Sequence, residues 1–393
     1  MRLEIDKLIS TRERYLKDRT VHAVTVSLGK LSLRWLNKDY FFRKKAVRRL
    51  VERSHFSEHM AHALLDALFQ ELTQAKLWKL LCAELGDPRV LDEFRWDALT
   101  GKRQRARGPR VITHIFSGNV PNPAIVSFVL GMLVKSVNIG KVSRADEGFL
   151  DIYLDSLKSF DKKLAATNYI LKPDSGAHGR ALLHEYIRCS ELVVAYGNDK
   201  SLEEIKNHVP AGRQWMGYGH RVSFGVYAKE VLKPENLATY AKKTARDIWV
   251  ADQRGCLSPL EILIETGGEL TVADFSGALA RALERLYRMK AWRIPAELGA
   301  AQLIGFGERK IISVRSVKNR QDILKNLKLF EKYLQAVSLE AGYARRQKIA
   351  ECLSVMGVNR ICRAGQMQRP PVAWHHEGKT NLASWVYWTD LEA

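Results

Sequence analysis

The chain has 393 residues, enough for two or three domains with sizeable cores, and its apolar and charged fractions are those of a globular protein. A net charge of +20 points to anionic partners: nucleic acid, phosphorylated cofactors, anionic substrates or an acidic protein. No apolar run reaches membrane-span length, and the charged residues 1–10 lack the apolar core of a signal peptide.

Residues 1–108 read as a polar, helical arm, with Val47, Leu50 and Val51, then Ala61, Leu64, Leu65, Leu68, Phe69 and Leu72 at helical spacings. Its basic clusters are Arg43-Lys44-Lys45 with Arg48-Arg49 on a helix, and Lys102-Arg103-Gln104-Arg105-Ala106-Arg107 in a loop ending at Gly108-Pro109. Neither has the interleaved aromatics of a single-strand binder, so nucleic acid is not the expected partner.

From residue 110 the texture changes. A strand over 111–116 runs into the turn Ser117-Gly118-Asn119-Val120-Pro121-Asn122-Pro123, and a nearly all-apolar helix follows over 124–135. Strands are expected at 137–142, 168–171 and 191–196, with helices at 148–160 and 201–207. Alternating helices and buried, β-branched strands mean a parallel α/β sheet, with ligands at the carboxyl ends of its strands. Neither G-x-G-x-x-G nor a P-loop is present, so a dinucleotide would bind in a variant mode. The strand-to-helix turn at Gly197-Asn198 is the best phosphate site, although a plain connection reads equally well.

A strand over 221–227 and a helix over 235–250 lead to Gln253-Arg254-Gly255-Cys256-Leu257-Ser258-Pro259. Ser258-Pro259 reads as an N-cap with proline at the first position, opening a helix over 259–266. Cys256 would then lie beside a helix N-terminus that favours its thiolate, and Gly255 would leave room for a carbonyl; the alternative is a buried, inert cysteine. Further helices are expected at 272–289, 321–335 and 338–356, and strands at 310–317 and 357–362. The aromatic tail 374–388 lacks a helical period and should pack on a neighbour. The five cysteines, Cys82, Cys189, Cys256, Cys352 and Cys362, are odd in number without C-x-x-C spacing, as expected in the reducing cytoplasm. Cys352, Cys362, His375 and His376 fit no common zinc spacing, so no metal is expected.

Four motifs, Ser117-Gly118-Asn119-Val120-Pro121, Gly219-His220-Arg221-Val222-Ser223-Phe224, the Cys256 stretch and Gly357-Val358-Asn359-Arg360-Ile361, resemble the acyl-CoA reductase family of luminous bacteria (LuxC type), in the aldehyde dehydrogenase superfamily. The resemblance runs from about residue 111 to the end. It implies an α/β aldehyde-dehydrogenase-like fold, divided as a helical region 1–108, a dinucleotide-binding domain 109–228, a catalytic domain 229–356 and a C-terminal segment 357–393. It implies Cys256 as nucleophile, with Asn119 as an oxyanion donor, where the plain alternative is a turn asparagine. It implies NADPH as cofactor, with Ser117, Lys141, Ser143, Arg144, Gly197 and Asn198 at its site. Arg144 stands where NAD-preferring members often carry a glutamate, and would fork onto a 2′-phosphate unless it faces solvent or pairs with Asp146 or Glu147.

The implied substrate is an acyl group on coenzyme A or a carrier protein, or an acyl adenylate handed over by a ligase, and the implied assembly is a homo-oligomer. Hydrolytic members carry a glutamate ahead of the cysteine. The stretch Met216-Gly217-Tyr218-Gly219-His220-Arg221 has no carboxylate, which favours aldehyde over acid. His220 is a candidate proton carrier against a structural role. An acyl-phosphate or semialdehyde reductase, and a non-catalytic basic nucleic-acid binder, are the alternatives.

Overall fold

The computed structural model describes residues 2–54, 56–117, 122–143, 148–171, 176–289, 291–294, 301–306 and 310–392. Asn119 and Arg144 lie outside them. The N-terminal part supplies α1 (Arg2–Tyr15), α2 (Val21–Leu36), α3 (Phe41–Ser54), α4 (Glu58–Glu71), α5 (Gln74–Leu85), β1 (Arg95–Asp97) and β2 (Lys102–Arg107). Next come β3 (Val111–Ile115), α6 (Asn122–Leu133), β4 (Val137–Lys141), α7 (Phe149–Phe160), α8 (Lys162–Ala165), β5 (Asn168–Leu171), α9 (Ala177–Cys189), β6 (Leu192–Tyr196), α10 (Asp199–Lys206) and β7 (Gln214–Tyr218). Then follow β8 (Val222–Tyr227), α11 (Pro234–Trp249), β9 (Pro259–Glu265), α12 (Val272–Tyr287), β10 (Trp292–Ile294), β11 (Ala301–Phe306) and β12 (Lys310–Val317). The chain closes with α13 (Arg320–Lys328), β13 (Leu334–Glu340), α14 (Tyr343–Val355), β14 (Arg360–Cys362) and β15 (Tyr387–Leu391).

One compact unit comprises residues 1–219, 371–374 and 379–393. Its parallel sheet has the order β5-β4-β3-β6-β7. β3 is central and wholly buried, so its sequence shows no alternation of apolar and polar residues. His114, on β3, is fully buried and hydrogen-bonded to Ser127 (2.8 Å) and Asn138 (3.0 Å); burial pulls its pKa down to about 3, and it is neutral. The helical arm packs through Trp35, stacked on Phe69 with centroids 4.6 Å apart and donating from Nε1 to Ser156 Oγ at 2.9 Å. Gly29 lets α2 approach α5: a Cβ there would lie 2.5 Å from the Gln74 backbone nitrogen. The basic run Lys102–Arg107, expected as a loop, is a strand paired antiparallel to β1 and to the C-terminal β15. Its side chains alternate between exposed and half-buried, which a run of charged residues conceals.

The second unit comprises residues 220–370 and 375–378. Its sheet has the order β10-β11-β12-β9-β8-β13-β14, parallel from β12 through β14. β8, read with the cofactor half on sequence, pairs here with β9 and β13. One face packs Ile262, Ile264 and Tyr227 against Ala241, Ala245 and Ile248 of α11 and Phe275 and Leu279 of α12. The other packs Phe224, Val226, Leu263 and Val337 against Ile323 and Leu327 of α13 and Ile349 and Leu353 of α14.

Two expected helices are replaced by strands. In place of the helix expected over 259–266 stands β9, with Pro259 as its first residue, where proline's missing N–H costs the ladder little. Residues 334–340, expected as helix over 334–335 and 338–340, form the fully buried β13 between β8 and β14. Leu, Gln, Ala and Glu favour helix only weakly, and two flanking strands override them.

Candidate functional site

Cys256 lies between α11 and β9, at the amino ends of the parallel strands β8, β9, β13 and β14. The helix stops in a tight turn: Gln253 N–H donates to Ile248 O at 3.0 Å and Asp252 N–H to Trp249 O at 2.9 Å. Asp252 and Gln253 both adopt left-handed backbone, with φ of 49° and 56°. For residues with a Cβ this conformation is strained, and it persists because side chains pin it. The buried Asp252 carboxylate is held by Lys310 Nζ (2.7 Å) and Tyr287 OH (3.1 Å), and Gln253 Nε2 donates to Ile311 O (3.1 Å). Ser223 on β8 then donates from Oγ to the Cys256 carbonyl at 2.6 Å. The Cys256 backbone is therefore fixed from both sides. A Cβ on Gly255 would meet only ordinary contacts, the nearest at 3.4 Å from Ala251 Cβ, so packing within the fold does not demand glycine there.

The Cys256 side chain is exposed, yet desolvation by the protein around it pushes its pKa up to about 11. The nearby Glu377 carboxylate adds to the rise, while its own backbone N–H, Arg221 and Gln335 oppose it. This corrects the expectation of a thiolate-favouring helix N-terminus: Ser258 caps no helix, and its hydroxyl instead accepts from Gln368 Nε2 at 2.9 Å. Alkylation of Cys256 by iodoacetamide in the ligand-free protein should therefore climb about one log unit per pH unit from neutrality to beyond pH 10, because only the thiolate reacts. A plateau near pH 8, measured by intact mass against pH, would contradict this environment.

Sequence reasoning missed three neighbours of Cys256. The stretch 216–221 indeed has no carboxylate, but Glu377 supplies one from the C-terminal segment. Its side chain is 2% exposed and pairs with Arg221 Nη2 at 2.7 Å, while Arg221 Nη1 donates to Lys332 O at 2.7 Å. Glu377 adopts left-handed backbone (φ 52°) in the turn closed by Gly378 N–H on His375 O. Gln335 and Ser223 come from strand starts that pair with each other. No local pattern marks Glu377; Ser223 and Arg221 fall within a motif singled out above. His220 is exposed, its ring edge-on to Tyr333 at 6.0 Å.

Those expected cofactor residues that are described cluster on the other unit, at the carboxyl ends of three adjacent strands, while Arg144 lies outside the described residues. Ser117 follows β3 and is exposed, Lys141 ends β4, Ser143 lies two residues on, and Gly197 and Asn198 follow β6. The order of connections reverses at β3, which puts these ends at a topological switch point. Burial lowers the pKa of Lys141, and Ser143 Oγ is buried with no hydrogen-bond partner among the described residues. Asn198 caps α10, accepting from Ser201 N–H at 2.9 Å. A buried hydroxyl without a partner and a half-buried ammonium suit a polar, anionic ligand. Among the described residues no three metal-binding side chains converge, and no helix is long and apolar enough to cross a membrane.

A family profile described as acyl-CoA reductase (LuxC) matches residues 16–297 and 289–388. A long-chain acyl-protein thioester reductase of Photorhabdus luminescens is 25% identical over 251 residues, 62% of this chain and 50% of that protein. One of Vibrio harveyi is 21% identical over 356 residues, 88% of this chain and 69% of that one. The chain spans about half the length of most of the curated relatives it matches. Among solved structures, an NAD-dependent benzaldehyde dehydrogenase of Corynebacterium glutamicum superposes with a TM-score of 0.68 at 10% identity, covering 99% of this chain and 91% of that one. A betaine aldehyde dehydrogenase of Staphylococcus aureus gives 0.68 at 10%, covering 99% and 87%. Matched along nearly its whole length and folded as aldehyde dehydrogenases are, the chain belongs to the acyl-CoA reductase (LuxC) family.

Proposed function

We propose that the protein reduces an activated acyl group, carried as a thioester, to an aldehyde through a thioester on Cys256, with NADPH as reductant. The observation that carries this reading is Cys256 itself: a solvent-reachable thiol on a backbone pinned by Asp252 and Ser223. The relatives' description as long-chain acyl-protein thioester reductases supports the substrate class.

The chemistry follows from the chain's own groups. The Cys256 thiolate attacks the thioester carbonyl, a new S–C bond forms, and the old C–S bond breaks to release the carrier thiolate, which takes a proton from solvent. Asn119 and the backbone N–H of Cys256 are the donors proposed for the oxyanion, each worth on the order of 3 kcal/mol in the barrier. Ser117, Lys141, Ser143, Arg144, Gly197 and Asn198 are the groups proposed to hold the cofactor. When bound, it supplies a hydride to the carbonyl carbon. Collapse breaks the Cys256–carbon bond, releasing aldehyde and restoring the thiolate. Glu377, the carboxylate near the sulfur, is engaged by Arg221, so it is not free to activate water. A cytoplasmic setting and a homo-oligomer belong to the same proposal, as does a carrier protein or acyl-activating ligase as donor.

Intact mass after incubation with mixed acyl-CoAs tests the reading. One acyl increment on Cys256, discharged as aldehyde when NADPH is added, is expected; no adduct with any acyl donor would overturn it. For the cofactor, Arg144→Glu should cut the preference for NADPH over NADH by about tenfold to a hundredfold, because a charge-assisted contact to the 2′-phosphate is replaced by repulsion. NADH turnover should stay nearly unchanged. Equal use of the two cofactors by the unmodified protein would remove this role for Arg144.

A further inference from the structure

The Gln335 side chain is fully buried at the start of β13, and among the described residues its Nε2 makes no hydrogen bond of ordinary geometry. Its orientation is not arbitrary. Asn359 Nδ2 lies 3.4 Å from the backbone carbonyl of Leu334, which fixes that amide with its nitrogen inward. The same nitrogen lies 3.3 Å from Gln335 Oε1. Turning the Gln335 amide over would set two donors against each other, so the oxygen faces Asn359 and the N–H₂ group is left toward Cys256. The strand register agrees: Ala336, next in the chain, pairs with Ser223, whose hydroxyl holds the Cys256 carbonyl. A buried donor without an acceptor is costly, and native structures keep one where a partner arrives during function.

We propose that Gln335 Nε2 is a catalytic hydrogen-bond donor to the Cys256 sulfur in its anionic form, positioned by Asn359. The thiol loses its proton to solvent, and the sulfur anion then accepts the waiting N–H. The same bond weakens as the sulfur becomes acylated, so the donor is strongest when the leaving thiolate forms. Consistent with this placement, Gln335 is one of the groups that hold the Cys256 pKa below the value burial alone would set. The inference rests on Cys256 being the acyl-bearing thiol, and it adds a donor from a strand far along the chain.

Gln335→Met keeps the volume and removes the donor. In the full-length protein, with iodoacetamide as probe, the pH midpoint of Cys256 alkylation should rise by about one unit, and the rate at any pH below it should fall about tenfold. Loading from palmitoyl-CoA should slow at least as much, with little change in the half-saturating concentration. The melting temperature should change little, since Asn359 Nδ2 loses Gln335 Oε1 but keeps the Leu334 carbonyl, and the unsatisfied donor is removed. A role confined to packing would move the melting temperature and leave the alkylation profile where it was, and an unmoved profile overturns the proposal. If the methionine variant does not fold, Gln335→Asn, which withdraws the amide by one methylene, carries the same expectation. Alkylation requires neither acyl donor nor cofactor. A shifted profile in a protein that never loads an acyl group would therefore sink the acyl-reductase reading and leave the donor standing.

Discussion

Cys256→Ala is expected to abolish acyl loading and to lower aldehyde formation by at least about four orders of magnitude, the scale seen when a covalent nucleophile is deleted. Nucleotide binding should persist, because the described residues proposed for it lie at strand ends of the other unit. The fold should tolerate the change: the side chain is exposed, and the loop is held by Asp252, Gln253 and Ser223 through their own partners. Cys256→Ser is the sharper variant. It keeps size and backbone, but a hydroxyl is far less acidic than a thiol, and a site that already pushes a thiol up to about 11 gives an alkoxide no help. Serine should thus be nearly as inactive as alanine. The control is Cys189→Ala, an exposed cysteine at the end of α9, which should load acyl groups normally. Acyl label retained by Cys256→Ala at full stoichiometry would move the nucleophile elsewhere.

The five-stranded parallel sheet could be read from sequence because its physics is local. β3, β4 and β6 are short, mostly buried runs rich in valine and isoleucine, and the turns after them carry glycine, asparagine or serine. The strand β9 misled because Ser258-Pro259 carries both marks of a helix start, while the deciding fact, parallel pairing to β8 and β12, is remote in sequence. β13 misled for the converse reason: its residues tolerate helix, and only its two neighbours make it a strand. Cys256 stood out through its flanking residues, but its electrostatics did not. The helix dipole expected to favour the thiolate is absent, and a carboxylate 121 residues further on, Glu377, disfavours it. Gln335 and Asn359 could not be found as a pair, because their relation is a chain of amide orientations across two strands.

The Arg221–Glu377 pair should control the fate of the acyl group as well as the stability of its unit. Glu377 is almost wholly buried, and Arg221, about a quarter exposed, is the cation bound to it. Arg221→Met leaves that carboxylate without its charged partner, at a cost of about 2 kcal/mol, taken below the range for fully buried pairs because Arg221 keeps some contact with water. The Cys256 pKa should rise in this variant, since Arg221 lowers it, and should fall in Glu377→Gln, since Glu377 raises it. Alkylation at fixed pH should therefore slow in the first and quicken in the second.

The larger effect concerns water. A carboxylate released beside a thioester can take a proton from an attacking water, and general-base catalysis contributes on the order of 10²-fold or more. Arg221→Met should thus convert much of the proposed acyl-enzyme to free acid in the absence of reduced cofactor, where the unmodified protein is expected to hold the acyl group. Adding Glu377→Gln removes the base and the buried charge together. The double variant should recover most of the lost stability and return acid release to its original rate. Acid release and denaturant midpoints measured across the four proteins decide the matter. If Arg221→Met releases no more acid than the unmodified protein, or if Glu377→Gln fails to suppress the excess, the ion pair is a structural clamp and plays no part in protecting the acyl group.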